Sequence, residues 1–117
     1  IPLRLVGSEM CIRDRHISMK VRFEWDLVKA KTNFKKHRVS FDIAIRAFSD
    51  PFALVEQDRI EGMEHRWRTL GLVDGYLLLL VAHVVWHDKE GVEVIRIISA
   101  RRAEPRERKR YEENRLS

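Results

Sequence analysis

The sequence contains a single cysteine, Cys11. One cysteine excludes an internal disulfide and any zinc site built on cysteine pairs, and it fits a reducing, cytoplasmic setting. Long apolar runs are also missing. The longest, Tyr76 to Trp86, falls short of the roughly 20 residues needed to span a bilayer, so no membrane association is expected. The first 18 residues lack the apolar centre of a secretory signal. They show neither helical nor strand periodicity, and the stretch VGSEMCIRDR resembles translated adaptor or read-through sequence. Residues 1–18 are therefore expected to be a non-native or disordered tail, and residues 19–117 a single domain. No internal repeat and no second domain boundary is visible.

What the chain has in quantity is charge. Asp, Glu, Lys and Arg make up 35% of 117 residues, and the formal net charge is +5. The tail supplies little of this, since Arg4, Arg13 and Arg15 face Glu9 and Asp14. A basic balance points to an anionic partner such as nucleic acid, and equally to a surface charged for solubility. The apolar fraction of 44% suffices for one modest core.

Periodicity orders the elements. Val21, Phe23 and Trp25 alternate with Lys20, Arg22 and Glu24, a strand with one wet face. Asp26 caps a first helix, whose apolar stripe is Leu27, Ala30 and Phe34. His37-Arg38 closes it. Ser40 caps a second helix carrying Ile43, Ala44, Ala47 and Phe48, which Asp50-Pro51 stops. Strands follow over Phe52 to Glu56, Glu64 to Leu72, Tyr76 to Trp86 and Val92 to Ser99. Residues 57–62, Asp74-Gly75 and Asp88 to Gly91 are the turns between them. Glu104-Pro105 opens a charged final helix reaching about Asn114. The order β-α-α-β-β-β-β-α predicts an α+β layer: an antiparallel sheet, two N-terminal helices on one face, and a C-terminal helix. Both alternating sets of Tyr76 to Trp86 are apolar. The sheet face away from the N-terminal helices thus needs the final helix or a partner protein as cover.

Arg96 lies between Val94 and Ile98 on its strand. A guanidinium among apolar neighbours requires an anion, either an internal carboxylate such as Glu64 or a bound phosphate. Glu64, Arg66 and Arg68 share one strand face, a charged row suited to an open groove. Arg101, Arg102, Arg106, Arg108, Lys109 and Arg110 continue the basic run. His83 and His87 are four residues apart on a strand, roughly 13 Å, which is too far to share an ion. Neither a metal nor another cofactor is expected. Trp25, Phe34 and Phe48 read as core. Trp67 and Trp86 read as core or as platforms for stacked bases.

Taken together, Phe23-Glu24-Trp25-Asp26, Lys29, Asn33, Lys36-His37, Val39-Ser40-Phe41, Phe48 with Asp50-Pro51, Glu64-x-Arg66, Gly71, Ile95 to Arg101, and Glu107-Arg108 with Tyr111 resemble the BrnT toxin family. The resemblance extends over residues 20–113. Two positions depart from it. Arg38 stands where the family usually has glycine, at a position suited to positive φ, and Glu104-Pro105 replaces the usual Thr or Ser cap.

The resemblance implies a RelE-like fold and a type II toxin, an endoribonuclease that cleaves RNA and inhibits translation. It also implies neutralisation by a ribbon-helix-helix BrnA-type antitoxin, through which operator DNA is bound only indirectly. Cleavage by attack of an RNA 2′-hydroxyl needs charge stabilisation at phosphorus and two proton transfers. Arg66, Arg96 and Arg101 are the candidates for the first task, because a planar guanidinium matches phosphate oxygens. His37 and Glu64 are the candidate proton-transfer groups, with Tyr111 positioning or protonating. Lys36, Arg68, Arg102 and Arg108 are candidates for holding the rest of the RNA. The alternative is a non-catalytic module that binds nucleic acid or an antitoxin.

Overall fold

Short-range chemistry sets the element ends in the computed structural model, which describes residues 3–14, 17–62 and 64–116. Strands β1 (Leu3–Asp14) and β2 (Ile17–Asp26) lead into α1 (Leu27–His37). The Asp26 carboxylate accepts from the Val28 N–H at 2.8 Å and caps that helix. Arg38 ends it at φ 59°, donating its N–H to the Phe34 carbonyl at 2.8 Å. The position does take the left-handed backbone expected of it, with arginine bearing the strain that glycine avoids. Ser40 Oγ accepts from the Ile43 N–H at 3.2 Å and caps α2 (Phe41–Ala44), which tightens into a 3-10 turn over Ile45–Ser49.

Strands β3 (Leu54–Glu61), β4 (Glu64–Val73), β5 (Leu77–His87) and β6 (Glu93–Arg102) follow, then α3 (Pro105–Leu116). Between β4 and β5, Asp74 (φ 52°) and Gly75 (φ 81°) both take positive φ, the geometry of a tight hairpin. Between β5 and β6 the Asp88 carboxylate accepts from the Glu90 and Val92 N–H groups at 2.8 and 2.9 Å. At the start of α3, Glu107 accepts from the Glu104 N–H at 2.8 Å. That is the returning half of a capping box, so the departure at Glu104-Pro105 keeps a capped helix.

The strands form one sheet in the order β1-β2-β6-β5-β4-β3. The fold is α+β, but the sheet is mixed and not purely antiparallel. β2 runs parallel to β6, from Val21 opposite Glu93 to Trp25 opposite Ile97. The cause is topological. The chain leaves β2 over the helices, starts again at the far edge with β3, and returns hairpin by hairpin until β6 meets β2. Strand extents also differ from expectation, most at β3 and at the N-terminus. β3 continues to Glu61, because a register shift between Gln57 and Ile60 keeps this polar stretch paired with β4. Residues 3–14, which show no strand periodicity, lie antiparallel along β2.

One face of the sheet carries Val21, Phe23, Trp25, Leu79, Val81, Ile95 and Ile97, packed against Val39, Phe41, Ala44 and Ala47. Trp25 meets Phe41 edge-on at 5.9 Å, and Phe23 meets Phe48 at 5.2 Å. The expected stripe on α1 reaches the core through Ala30 but not through its ends. Leu27 and Phe34 are 40% and 45% exposed, and the residue α1 buries is Asn33. Asn33 donates to the carbonyls of Val39 and Ala100 and accepts from the Ala100 N–H, at 3.1, 2.9 and 3.1 Å. That polar bridge sets the rotation of α1 on β6 and turns Phe34 outward, where Arg38 lies over its ring. On the other face, α3 lays Tyr111 on Leu70, Leu78 and Leu80. The final helix thus covers part of the second apolar face of β5. No helix among the described residues is long and apolar enough to cross a membrane.

Candidate functional site

The part of this second face not covered by α3 gathers the arginines. Register places Glu24, Arg96, Val84 and Arg66 side by side on β2, β6, β5 and β4. The next row along holds Ser99, Ala82, Arg68 and Glu56. Arg96 and Arg66 are therefore two strands apart, roughly 10 Å. Val84, between them, is buried. Glu64 precedes Arg66 by two residues, the interval that returns a strand to the same face, and it is exposed.

Arg96 does have an internal carboxylate, and it is Glu24 in place of Glu64. Arg96 Nε donates to Glu24 Oε1 at 3.0 Å, and Trp86 Nε1 donates to the same oxygen at 3.2 Å. The Glu24 side chain is 4% exposed and that of Arg96 37%. One edge of the guanidinium is thus fixed by a buried anion while the group remains open to solvent. Glu24 corrects the expectation of a wet face on β2, since the parallel partner β6 brings Arg96 directly alongside it.

Arg101, at the end of β6, is held in the same manner. Its two terminal nitrogens each donate to one oxygen of Glu107 at 2.8 Å. This paired hydrogen bond pushes the Arg101 pKa up and the Glu107 pKa down, against the desolvation that opposes both charges. Arg68 lies 4.0 Å from Asp58, and Arg110 of α3 pairs with Glu56 at 2.9 Å. Arg68, Arg96, Arg101 and Arg110 thus each lie beside a carboxylate that orients the guanidinium before any ligand arrives.

Tyr111 is buried, and its hydroxyl donates to Asp50 at 2.5 Å. Burial first, and then the Asp50 carboxylate, raise its pKa to about 12. Asp50 also accepts from the Leu72 and Phe52 N–H groups at 2.8 and 2.9 Å. Tyr111 thus ties α3 to the loop before β3. His37 and Lys36 end α1, on the opposite side of the sheet from Arg66 and Arg96. Arg102 and Arg108 are exposed at the β6 end and on α3. The fold therefore unites Arg66, Arg68, Arg96 and Glu64, places Arg101 at the border with α3, and separates His37 and Lys36 from them.

His83 faces the helices, not this surface. It is buried, bonded through Nε2 to Thr69 Oγ1 at 2.8 Å, and set edge-on to Phe48 at 4.9 Å. Burial lowers its pKa from 6.5 to about 4. His87 is exposed, and no group of three or more His, Cys, Asp or Glu side chains suited to a metal occurs among the described residues. Trp67 alternates with Arg66 and Arg68 onto the helix side, whereas Trp86 stands on the arginine face and is 42% exposed.

Clefts lie away from the face that holds Arg66, Arg68 and Arg96. One, of about 570 Å³, is lined by Trp25, Leu27, Phe34 and Phe41. The other, of about 490 Å³, is lined by Asp50, Phe52 and Tyr111. On the arginine face the Arg96 side chain is 37% exposed and Glu64 is exposed, so both are accessible to a strand of polymer.

Sequence reasoning missed Glu24, Glu107 and Asp50 as partners of site residues. Glu107 had a local signal, its place three residues after the helix-capping position. Glu24 had none, because its partner is 72 residues away.

Comparison with known proteins identifies the family. The family model described as "Ribonuclease toxin, BrnT, of type II toxin-antitoxin system" matches residues 25–107. That span includes Glu64, Arg66, Arg68, Arg96 and Arg101, and stops short of Glu24 and Tyr111. Among solved structures, the crystal structure of the Brucella abortus ribonuclease toxin BrnT is similar, with a TM-score of 0.49 and 24% identity, covering 68% of this chain and 92% of that one. No curated protein matches the chain. With its model matching well over half of the sequence, the chain belongs to the BrnT family of ribonuclease toxins of type II toxin–antitoxin systems.

Proposed function

We propose that the chain is a metal-independent endoribonuclease of RelE-like type that cleaves RNA on the arginine face and thereby inhibits translation in the cytoplasm. The observation that carries this reading is Arg96, held at one edge by the buried Glu24 and open to solvent on a face shared with Arg66. A guanidinium oriented in advance stabilises charge developing on a phosphate without reorganising during the reaction. Arg96 and Arg66 take the phosphate oxygens, and Arg101 serves at the α3 border.

Glu64 accepts the 2′-hydroxyl proton as that oxygen bonds to phosphorus and the bond to the 5′-oxygen breaks, the leaving oxygen taking its proton from water on this solvent-accessible face. Glu64 is the exposed carboxylate nearest Arg66 along β4, whereas Glu24 is committed to Arg96 and Trp86. His37 is the second choice, because α1 holds it on the far side of the sheet. Tyr111 acts by holding α3, since its hydroxyl proton is engaged with Asp50. Arg68 and Arg108 hold flanking phosphates, with Lys36 and Arg102 at the periphery.

Membership of a type II family brings an antitoxin. We propose a BrnA-type ribbon-helix-helix protein that covers the arginine face and carries the complex to operator DNA. The test is cleavage of total RNA by purified protein, in EDTA, with and without antitoxin. Cleavage in EDTA that antitoxin abolishes supports the reading. Loss with chelator, restored by zinc or magnesium, removes the metal-free mechanism. Equal cleavage by the preformed complex removes the occlusion.

A further inference from the structure

Trp86 is a large aromatic side chain at the exposed end of the arginine face. Single exposed apolar residues are ordinary, and Tyr76 and Leu116 are such cases, at a turn and near the chain end, 74% and 87% exposed. Trp86 differs in being tethered. Its N–H is spent on Glu24 Oε1, the atom that also holds Arg96 Nε. One buried oxygen thus sets the indole ring and the guanidinium in a fixed relation. In the register, Trp86 stands opposite Val94 and Arg96 opposite Val84. The two are diagonal neighbours on one face, roughly 7–8 Å apart at the backbone. Val94 and Val84 are buried, and Trp86 remains 42% exposed.

We propose that Trp86 is a base-stacking subsite for single-stranded RNA, receiving the nucleobase adjacent to the phosphate at Arg96; this rests on the ribonuclease reading above. An exposed aromatic ring offers a flat apolar face to a base, and a cation one step away takes the backbone charge, the combination by which single strands are bound. The tether lowers the conformational entropy lost on binding. Because the indole N–H is engaged with Glu24, the ring contributes stacking and no hydrogen-bond readout of base edges. The subsite accepts any base, and sequence preference arises elsewhere on the face. Glu24 is a positioning residue for both contacts.

The test uses fully 2′-O-methylated RNA hexamers of mixed sequence, which lack the attacking hydroxyl, and matched abasic hexamers. Affinity is measured for the full chain and for Trp86→Leu, Trp86→Phe and Arg96→Gln, each checked for folding by its melting curve. The unsubstituted chain is expected to bind the hexamer about tenfold more tightly than its abasic counterpart, the worth of one stacked base. Trp86→Leu loses roughly that tenfold on the hexamer and nothing on the abasic strand, and Trp86→Phe keeps most of it. The salt dependence of binding stays the same in Trp86→Leu and falls by about one ion in Arg96→Gln. Hexamer affinity unchanged in Trp86→Leu overturns the subsite while leaving the ribonuclease reading in place. So does a Trp86→Leu variant that loses only antitoxin binding, which would assign the ring to the protein partner. No binding of either strand by the unsubstituted chain overturns both.

Discussion

Replacing Glu24 with glutamine keeps the shape of the site and removes its anion. Glu24 receives one hydrogen bond from Arg96 at 3.0 Å and one from Trp86 at 3.2 Å. Losing a partner from a fully buried ion pair costs about 3–5 kcal/mol. Arg96 is 37% exposed at its side chain and water can restore part of its solvation, so a smaller cost applies. A hydrogen bond to a charged group contributes about 1.5–3 kcal/mol and a neutral one about 1 kcal/mol, which leaves a loss of about 1–2 kcal/mol. For a domain of this size that lowers Tm by roughly 4–8 °C. Activity should fall further than stability explains. With Arg96 no longer fixed, kcat for RNA cleavage is expected to drop roughly 10- to 100-fold at a temperature where the variant is fully folded. The assay pairs a melting curve with single-turnover cleavage. A lowered Tm with an unchanged cleavage rate would refute the reasoning, because the ion pair would then serve the fold alone.

Three further outcomes follow from other parts of the structure. A Cβ on Gly71 would overlap the backbone carbonyl of Ala47, so Gly71→Ala is expected to cost at least ~2 kcal/mol in denaturant unfolding; a neutral result would mean the β4 and Ala47 backbones separate easily. His83 is neutral in the fold, with its pKa lowered from 6.5 to about 4. The unfolded chain therefore binds the extra proton first, and stability is lost as pH falls from about 6.5 to about 4, by about 3 kcal/mol in all. His83→Gln should flatten the fall of Tm over that window, and identical profiles for the two proteins would exclude His83 as its source. A chain beginning at Met19 loses β1 but retains both core clusters, which are built from residues 21–111. We propose that it folds alone, with Tm within a few degrees of the full chain; a larger loss would make residues 3–14 part of the domain.

The features legible in the sequence are those whose chemistry is local. Asp26 and Ser40 cap their helices, Arg38 takes the left-handed turn, and Asp74-Gly75 closes a hairpin, each through bonds to residues a few positions away. The alternation of Glu64, Arg66 and Arg68 placed two of the face's arginines correctly, because strand period alone decides which side a residue takes. What stayed hidden depends on which strands become neighbours. Period two marked Glu24 as solvent-facing, and the parallel pairing of β2 with β6 buried it against Arg96. Phe34 fitted a core stripe by spacing, yet Asn33 bridges to Ala100 and turns Phe34 outward. His37 and Arg101 lie in motifs of equal clarity, and the fold puts one on α1 and the other on the opposite border, a separation that no linear spacing encodes.

The central claim is that Arg96 meets the reacting phosphate, and the direct measurement is RNA cleavage by purified Arg96→Lys in EDTA beside the unsubstituted chain. Lysine keeps the charge and loses the fork that can bind Glu24 and phosphate together. We expect Arg96→Lys to melt within a few degrees of the unsubstituted chain and to cleave about a hundredfold more slowly, the worth of roughly 3 kcal/mol at the transition state. Cleavage at the full rate would remove Arg96 from the active site and leave its bond to Glu24 as a structural contact alone.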